Sequence, residues 1–97
     1  MPKAYTITFY RSISDPAALA EYAKLAGPAI QAAGGRFLAR GGTAKTYEAG
    51  INQRVVVMEF DSVEKAAACY ESARYQAAAR LVKGKVERDV RIVEGVT

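Results

Sequence analysis

Arg36, Arg40, Glu48, Arg54 and Glu59 lie among residues that favour extended backbone, in the stretches Arg36-Phe37-Leu38-Ala39-Arg40-Gly41-Gly42 and Arg54-Val55-Val56-Val57-Met58-Glu59-Phe60. Fixed charges within apolar runs serve either as ion pairs or as clamps for a charged ligand. Arginine is the side chain best suited to hold a carboxylate through two parallel hydrogen bonds. Glutamate and tyrosine can move a proton, and tyrosine hydroxyls can orient a ligand. Tyr10, Tyr70 and Tyr75 are candidates for that role, and Thr6 and Thr8 share the parity of Tyr10. The chain has no histidine, so triads built on imidazole are excluded, as is the commonest metal and haem ligand. Cys69 is the one cysteine, and the acidic residues do not cluster as a calcium or paired-carboxylate site would require. The expectation is therefore no metal and no cofactor.

The elements that must position these residues follow from periodicity. Ala4 to Tyr10 alternates, with Tyr5, Ile7 and Phe9 on one face and Thr6, Thr8 and Tyr10 on the other, which predicts the first strand. Ser14-Asp15-Pro16 opens a helix, Leu19, Tyr22, Ala23, Ala26, Ile30 and Ala33 recur at helical spacing, and Gly34-Gly35 ends it. Gly27-Pro28 predicts a kink or two shorter helices. Arg36 to Arg40 is the second strand, expected to bulge at Gly41-Gly42 and to resume over Ala44 to Glu48. Arg54 to Phe60, apolar on both faces, reads as a central strand covered on each side. Asp61-Ser62 caps a helix over Val63 to Glu71, interrupted at Ser72-Ala73 and resumed over Arg74 to Val82. Val86 to Val93 is a half-exposed last strand. The order β-α-β-β-α-β predicts an α+β fold of the ferredoxin-like kind, a four-stranded antiparallel sheet with its helices on one face.

A chain of 97 residues reads as one domain, 1–97, and buries only about 60 to 65% of the surface it exposes when unfolded. Two helices cover one face of the sheet, so the other face calls for a second copy, and a homodimer is expected. The opening residues lack the apolar centre of a signal peptide, no run is long enough to span a bilayer, and the single cysteine suits a reducing cytoplasm.

Tyr22, Pro28, Phe37-Leu38-Ala39-Arg40-Gly41-Gly42, Glu48, Gly50, Arg54, Glu59-Phe60, Ser62, Ala66, Tyr70, Ser72, Tyr75-Gln76 and Ile92-Val93-Glu94-Gly95 together carry a resemblance that spans nearly the whole chain. The sequence resembles domain-of-unknown-function family 1330, within the dimeric α+β barrel superfamily. It departs from that pattern at Asp61 and Ala73, at Cys69 and at Ala49. The resemblance implies two sheets packed face to face across a dimer axis, and a cleft beside each sheet for small, largely apolar ligands. It implies no single reaction, because the superfamily holds cofactor-free monooxygenases, isomerases, haem enzymes and plain binding proteins.

Two functional readings stand side by side. In one, Thr6, Thr8, Tyr10, Arg40 and Glu59, with Tyr70 or Tyr75, line a cleft for a small organic molecule, carboxylated or aromatic. Any chemistry there would be cofactor-free and of the monooxygenase or isomerase type. In the other, Arg40, Glu48, Arg54 and Glu59 form a structural ion-pair network, and the protein is a non-catalytic structural or interaction module. Arg40 has the parity of Arg36 and Leu38, and a bridge to Glu59 is conceivable. A net charge of +4 raises nucleic acid as a partner, but the central strands lack the aromatic platform of RNA-recognition modules, so none is expected. The local group of Lys83, Lys85 and Arg88 reads as a solvated face.

Overall fold

The computed structural model describes residues 2–96. Strand β1 (Ala4–Ile13) leads into helix α1 (Pro16–Ala32), strand β2 (Arg36–Gly41) and strand β3 (Val55–Phe60). Helices α2 (Val63–Glu71) and α3 (Ala73–Ala79), a 3-10 turn over Arg80–Val82 and strand β4 (Val86–Glu94) complete the chain. The strands form one antiparallel sheet in the order β2-β3-β1-β4, so the fold is α+β and ferredoxin-like.

Local chemistry explains the boundaries. Asp15 accepts a hydrogen bond from the Ala18 amide at 3.1 Å, and Pro16 supplies a pre-set first turn. The helix ends where Gly34 turns to φ 93, a conformation that suits glycine, and the Gly35 amide returns to the Ile30 carbonyl at 2.9 Å. Pro28 lies inside α1, which the structure keeps as one helix rather than two. The proline forfeits a single backbone bond, and burial of Tyr22, Ala26, Ala29 and Ile30 along one stripe holds both halves against the sheet. Ser72 divides the second helical segment by acting at both ends. Its hydroxyl donates to the Cys69 carbonyl at 2.7 Å and accepts from the Tyr75 amide at 3.2 Å.

Alternation along the strands sorts their side chains. Ala4, Thr6, Thr8 and Tyr10 of β1 and Val56, Met58 and Phe60 of β3 are buried beneath the helices. Tyr5, Ile7, Phe9, Val55 and Val57 point to the uncovered face, where Phe9 is 39% and Val93 48% exposed. That face carries aliphatic and aromatic side chains with no helix packed on it, and Arg91, opposite Ile7 and bonded to Asp89, lies 5.7 Å from the Phe9 ring centroid.

Two expectations are corrected here. Residues 44–48 are not strand: the chain from 42 to 54 is a loop, turned by a bond from the Gly50 amide to the Tyr47 carbonyl and by Glu48 at φ 53. The register shift of β2 falls between Phe37 and Ala39, at Leu38, and not at the glycine pair. Arg36 therefore lies opposite Glu59 while Arg40 lies opposite Val56, and the two arginines end on opposite faces of the sheet.

Gly35 provides a packing test. A Cβ there would stand 2.5 Å from Ile30 Cγ2 and 2.8 Å from Phe60 Cζ, whereas one at Gly27 would meet nothing. Gly35→Ala is expected to destabilise the fold by about 1–3 kcal/mol through overpacking. Gly27→Ala is expected to stabilise α1 by about 0.5–1 kcal/mol, both read from thermal unfolding; equal midpoints for the two variants would contradict this packing.

Candidate functional site

Beneath α1 the covered face of β1 and β3 does not fill completely. Thr8, Tyr10, Val56 and Met58 form the floor of a cleft whose wall is the Tyr22, Ala26 and Ile30 stripe of α1. It encloses about 400 Å³ of atom-free space including its open mouth, with about 30 Å³ far enough from every atom to take the centre of a water molecule. As it stands this admits a few waters or a narrow chain, and a larger ligand needs the walls to give. Gly27 and Met58, both lining residues, make that possible: Gly27 carries no side chain and is followed by the hydrogen-bond gap of Pro28, and methionine changes rotamer readily.

Arg40 and Arg54 stand at this cleft. Arg40 reaches it because the shift at Leu38 turns the end of β2 over; its guanidinium lies 4.3 Å from the centroid of the Phe37 ring. Arg54 is placed by the turn into β3, where its carbonyl accepts from the Tyr10 amide at 3.0 Å. Among the described residues neither arginine has a carboxylate within ion-pair distance. The Arg54 Nε is buried and has no acceptor. Burial, reinforced by Tyr22 and opposed by Arg88, raises the pKa of Tyr10, so its hydroxyl stays a proton donor at neutral pH.

A second cavity continues toward the other end of the sheet, sharing Thr8, Ile30 and Met58 with the first. Thr6, Cys69, Tyr70 and Tyr75 line it; it counts about 260 Å³ with its opening, of which about 10 Å³ is far enough from every atom to take the centre of a water molecule. The Thr6 hydroxyl is buried without a partner. Burial also pushes the Cys69 thiol up, which leaves it an inert packing group.

The expected site set is thus divided. Thr8, Tyr10 and Arg40 meet at the first cavity, and Thr6, Thr8, Tyr70 and Tyr75 at the second. Glu59 lies on the opposite face: it accepts from Arg36 Nε at 2.9 Å, and Arg36 Nη2 reaches Asp61 at 3.0 Å. Lys3 and Lys65 complete this surface network, and the Arg36 hydrogen bond holds the Asp61 carboxyl below its ordinary range. Glu48 and Arg54 join no ion pair among the described residues. The bridge from Arg40 to Glu59 does not form, because the strand shift assigns Glu59 to Arg36.

Behind both cavities lies a cluster that sequence reasoning missed. The Tyr22 and Tyr75 hydroxyls are 2.6 Å apart, and Arg88 Nη1 donates to the Tyr22 oxygen at 3.1 Å. The Arg88 guanidinium also lies 5.1 Å from the Tyr22 ring centroid and 6.0 Å from that of Tyr10. Burial works against its charge, yet the surrounding tyrosines outweigh that and leave its pKa above the ordinary value. The available signal was parity: Arg88 alternates with Val86 and Val90, so it belongs to the covered face.

Residues 3–96 match the family described as domain of unknown function (DUF1330). The chain belongs to that family. No curated protein matches the DUF1330 chain. Among solved structures it is similar to a protein of unknown function from Rhodopseudomonas palustris, at 15% identity and TM-score 0.74, covering 99% of this chain and 84% of that one. It is similar to a dimeric ferredoxin-like protein of unknown function from Thermobifida fusca, at 16% identity and TM-score 0.69, covering 97% and 92%. A protein from Nitrosomonas europaea, provisionally named an antibiotic biosynthesis monooxygenase, is similar at 18% identity and TM-score 0.64, covering 97% and 90%. At these identities the likeness is one of fold.

The tyrosine cluster makes stability alkali-sensitive. Burial, then the nearby Tyr22, raises the pKa of Tyr75 above the ordinary 10.0. The unfolded chain releases this proton near pH 10 and the folded chain does not, so stability is complete below about pH 10 and falls as pH rises beyond it. Tyr75→Phe is expected to flatten that alkaline fall in unfolding midpoints measured across this range; an unchanged slope would contradict it. Tyr22→Phe leaves Arg88 and Tyr75 without their shared partner and is expected to cost about 1–3 kcal/mol in denaturant unfolding.

Proposed function

We propose that this DUF1330 protein is a cytoplasmic homodimer that binds a small, partly apolar organic anion, a carboxylate, in the cleft between α1 and the sheet. The observation that carries this reading is the pair Arg40 and Arg54 at a cleft otherwise lined largely by apolar and aromatic groups, with no carboxylate of the described chain neutralising either. Two like charges held near an apolar cavity repel one another, and an anion between them relieves that repulsion while its apolar part displaces water from the cavity. Tyr10 lines the same cleft with a hydroxyl that burial keeps protonated, which supports it as a further donor to the anion.

The dimer is supported by the uncovered face, where Tyr5, Ile7, Phe9, Val55, Val57 and Val93 form an apolar surface, and by the dimeric description of the Thermobifida fusca protein. Catalysis is not part of this reading, because likeness at 18% identity to the Nitrosomonas europaea protein carries a fold and not a reaction.

The test separates the two faces of the sheet. Binding of hexanoate and phenylacetate, with hexanol and benzyl alcohol as uncharged controls, is measured by calorimetry beside solution mass. Wild type is expected to bind the acids and not the alcohols. Arg40→Gln is expected to weaken acid binding about tenfold or more, the worth of one charge-assisted contact, with solution mass unchanged. Glu59→Gln is expected to leave binding intact. Equal binding of acids and alcohols, or loss of binding in Glu59→Gln alone, would overturn the assignment.

A further inference from the structure

Among the described residues two buried side-chain polar atoms lack a hydrogen-bond partner, the Thr6 hydroxyl oxygen and the Arg54 Nε. An orphaned buried polar group costs on the order of 1–3 kcal/mol, so native proteins rarely keep one without a use. These two are not scattered. Arg54 lines the first cavity and Thr6 the second, and the cavities share the side chains of Thr8, Ile30 and Met58.

We propose that the two cavities are one ligand chamber, partitioned by Met58, and that its occupant is an extended hydroxy acid: a carboxylate at Arg54, an apolar chain, and a hydroxyl at Thr6. This rests on the cleft being the binding site, and it adds the ligand's length and its second polar group. The length follows from the register. Thr6 lies opposite Met58, and Arg54 is four positions before Met58 along the chain, so the two polar ends stand about 13 Å apart along the strand direction. Between them Val56, Met58, Ile30 and Ala26 offer hydrocarbon and thioether, with Thr8 beside them, which suits a mainly polymethylene or aryl-alkyl chain. Met58 is the natural partition, since its side chain lines both cavities and, though buried in the core, is unbranched and able to change rotamer. Thr6 is 4% exposed and its hydroxyl has no protein partner, so a ligand hydroxyl that reaches it is shielded from water and gains a hydrogen bond.

The experiment compares ω-hydroxydecanoate, decanoate and hexanoate on wild type, Thr6→Val and Arg54→Gln by calorimetry. Wild type is expected to favour ω-hydroxydecanoate over decanoate by about fivefold to tenfold, the value of one buried hydrogen bond. Thr6→Val, nearly the same shape, is expected to lose that preference, so that ω-hydroxydecanoate and decanoate bind it equally, and its unfolding midpoint should stay level or rise. Arg54→Gln is expected to weaken all the acids together. A hydroxyl preference that survives Thr6→Val, or equal wild-type affinities for decanoate and its hydroxy derivative, would overturn the chamber and leave the arginine cleft standing, with Thr6 served by ordered water. Failure of every acid to bind wild type would remove the cleft assignment as well.

Discussion

Side-chain alternation along β1 and β3 divides the sheet between a face roofed by α1, α2 and α3 and a face with no roof, and the other features of the molecule follow from that division. Under the roof lie Thr6, Thr8, Tyr10, Val56, Met58 and Phe60. On the other side Tyr5, Ile7, Phe9, Val55 and Val57 make an apolar surface that a short chain has no helices left to cover. A strand that slips by one residue exchanges the two sets, so register is under strong constraint where β1 pairs β3, and the shifts fall at Arg11 in β1 against β4 and at Leu38 in β2.

The edge strand β2 is where the molecule makes use of that freedom. The shift at Leu38 lets one short strand serve both faces, sending Arg36 to Glu59 on the open side and Arg40 to the cavity on the covered side. Charges that read as one network along the sequence thereby separate into two systems of different character. Arg36, Lys3 and Lys65 pair with Glu59 and Asp61 at the surface, in contacts each of small energetic worth. Arg40 and Arg54, at the cleft, have no carboxylate partner among the described residues.

Much of the fold was legible from the sequence because its signals are local. Strand alternation, the Asp15-Pro16 opening, the Gly34-Gly35 stop and the Ser62 cap each involve residues within a few positions of one another. The loop over 42–54 was misread in part because Thr43, Thr46 and Tyr47 favour extended backbone in isolation, while the left-handed Glu48 and the Tyr47 to Gly50 turn prevent a strand. The division of the site was not legible, since a bulge without its own glycine leaves no mark and Leu38 is an ordinary strand residue. Arg88 was hidden by its neighbours: beside Lys83 and Lys85 it looks like part of a solvated patch, and its bond to Tyr22 joins residues 66 apart in the chain.

Solution scattering over a dilution series tests the division of the sheet most directly, because it asks whether the unroofed face tolerates water. A particle of about twice 10.4 kDa, with a radius of gyration well above the 13.3 Å of one chain, is the result that this account predicts. A stable, well-behaved particle of 10.4 kDa that persists at high concentration would contradict it.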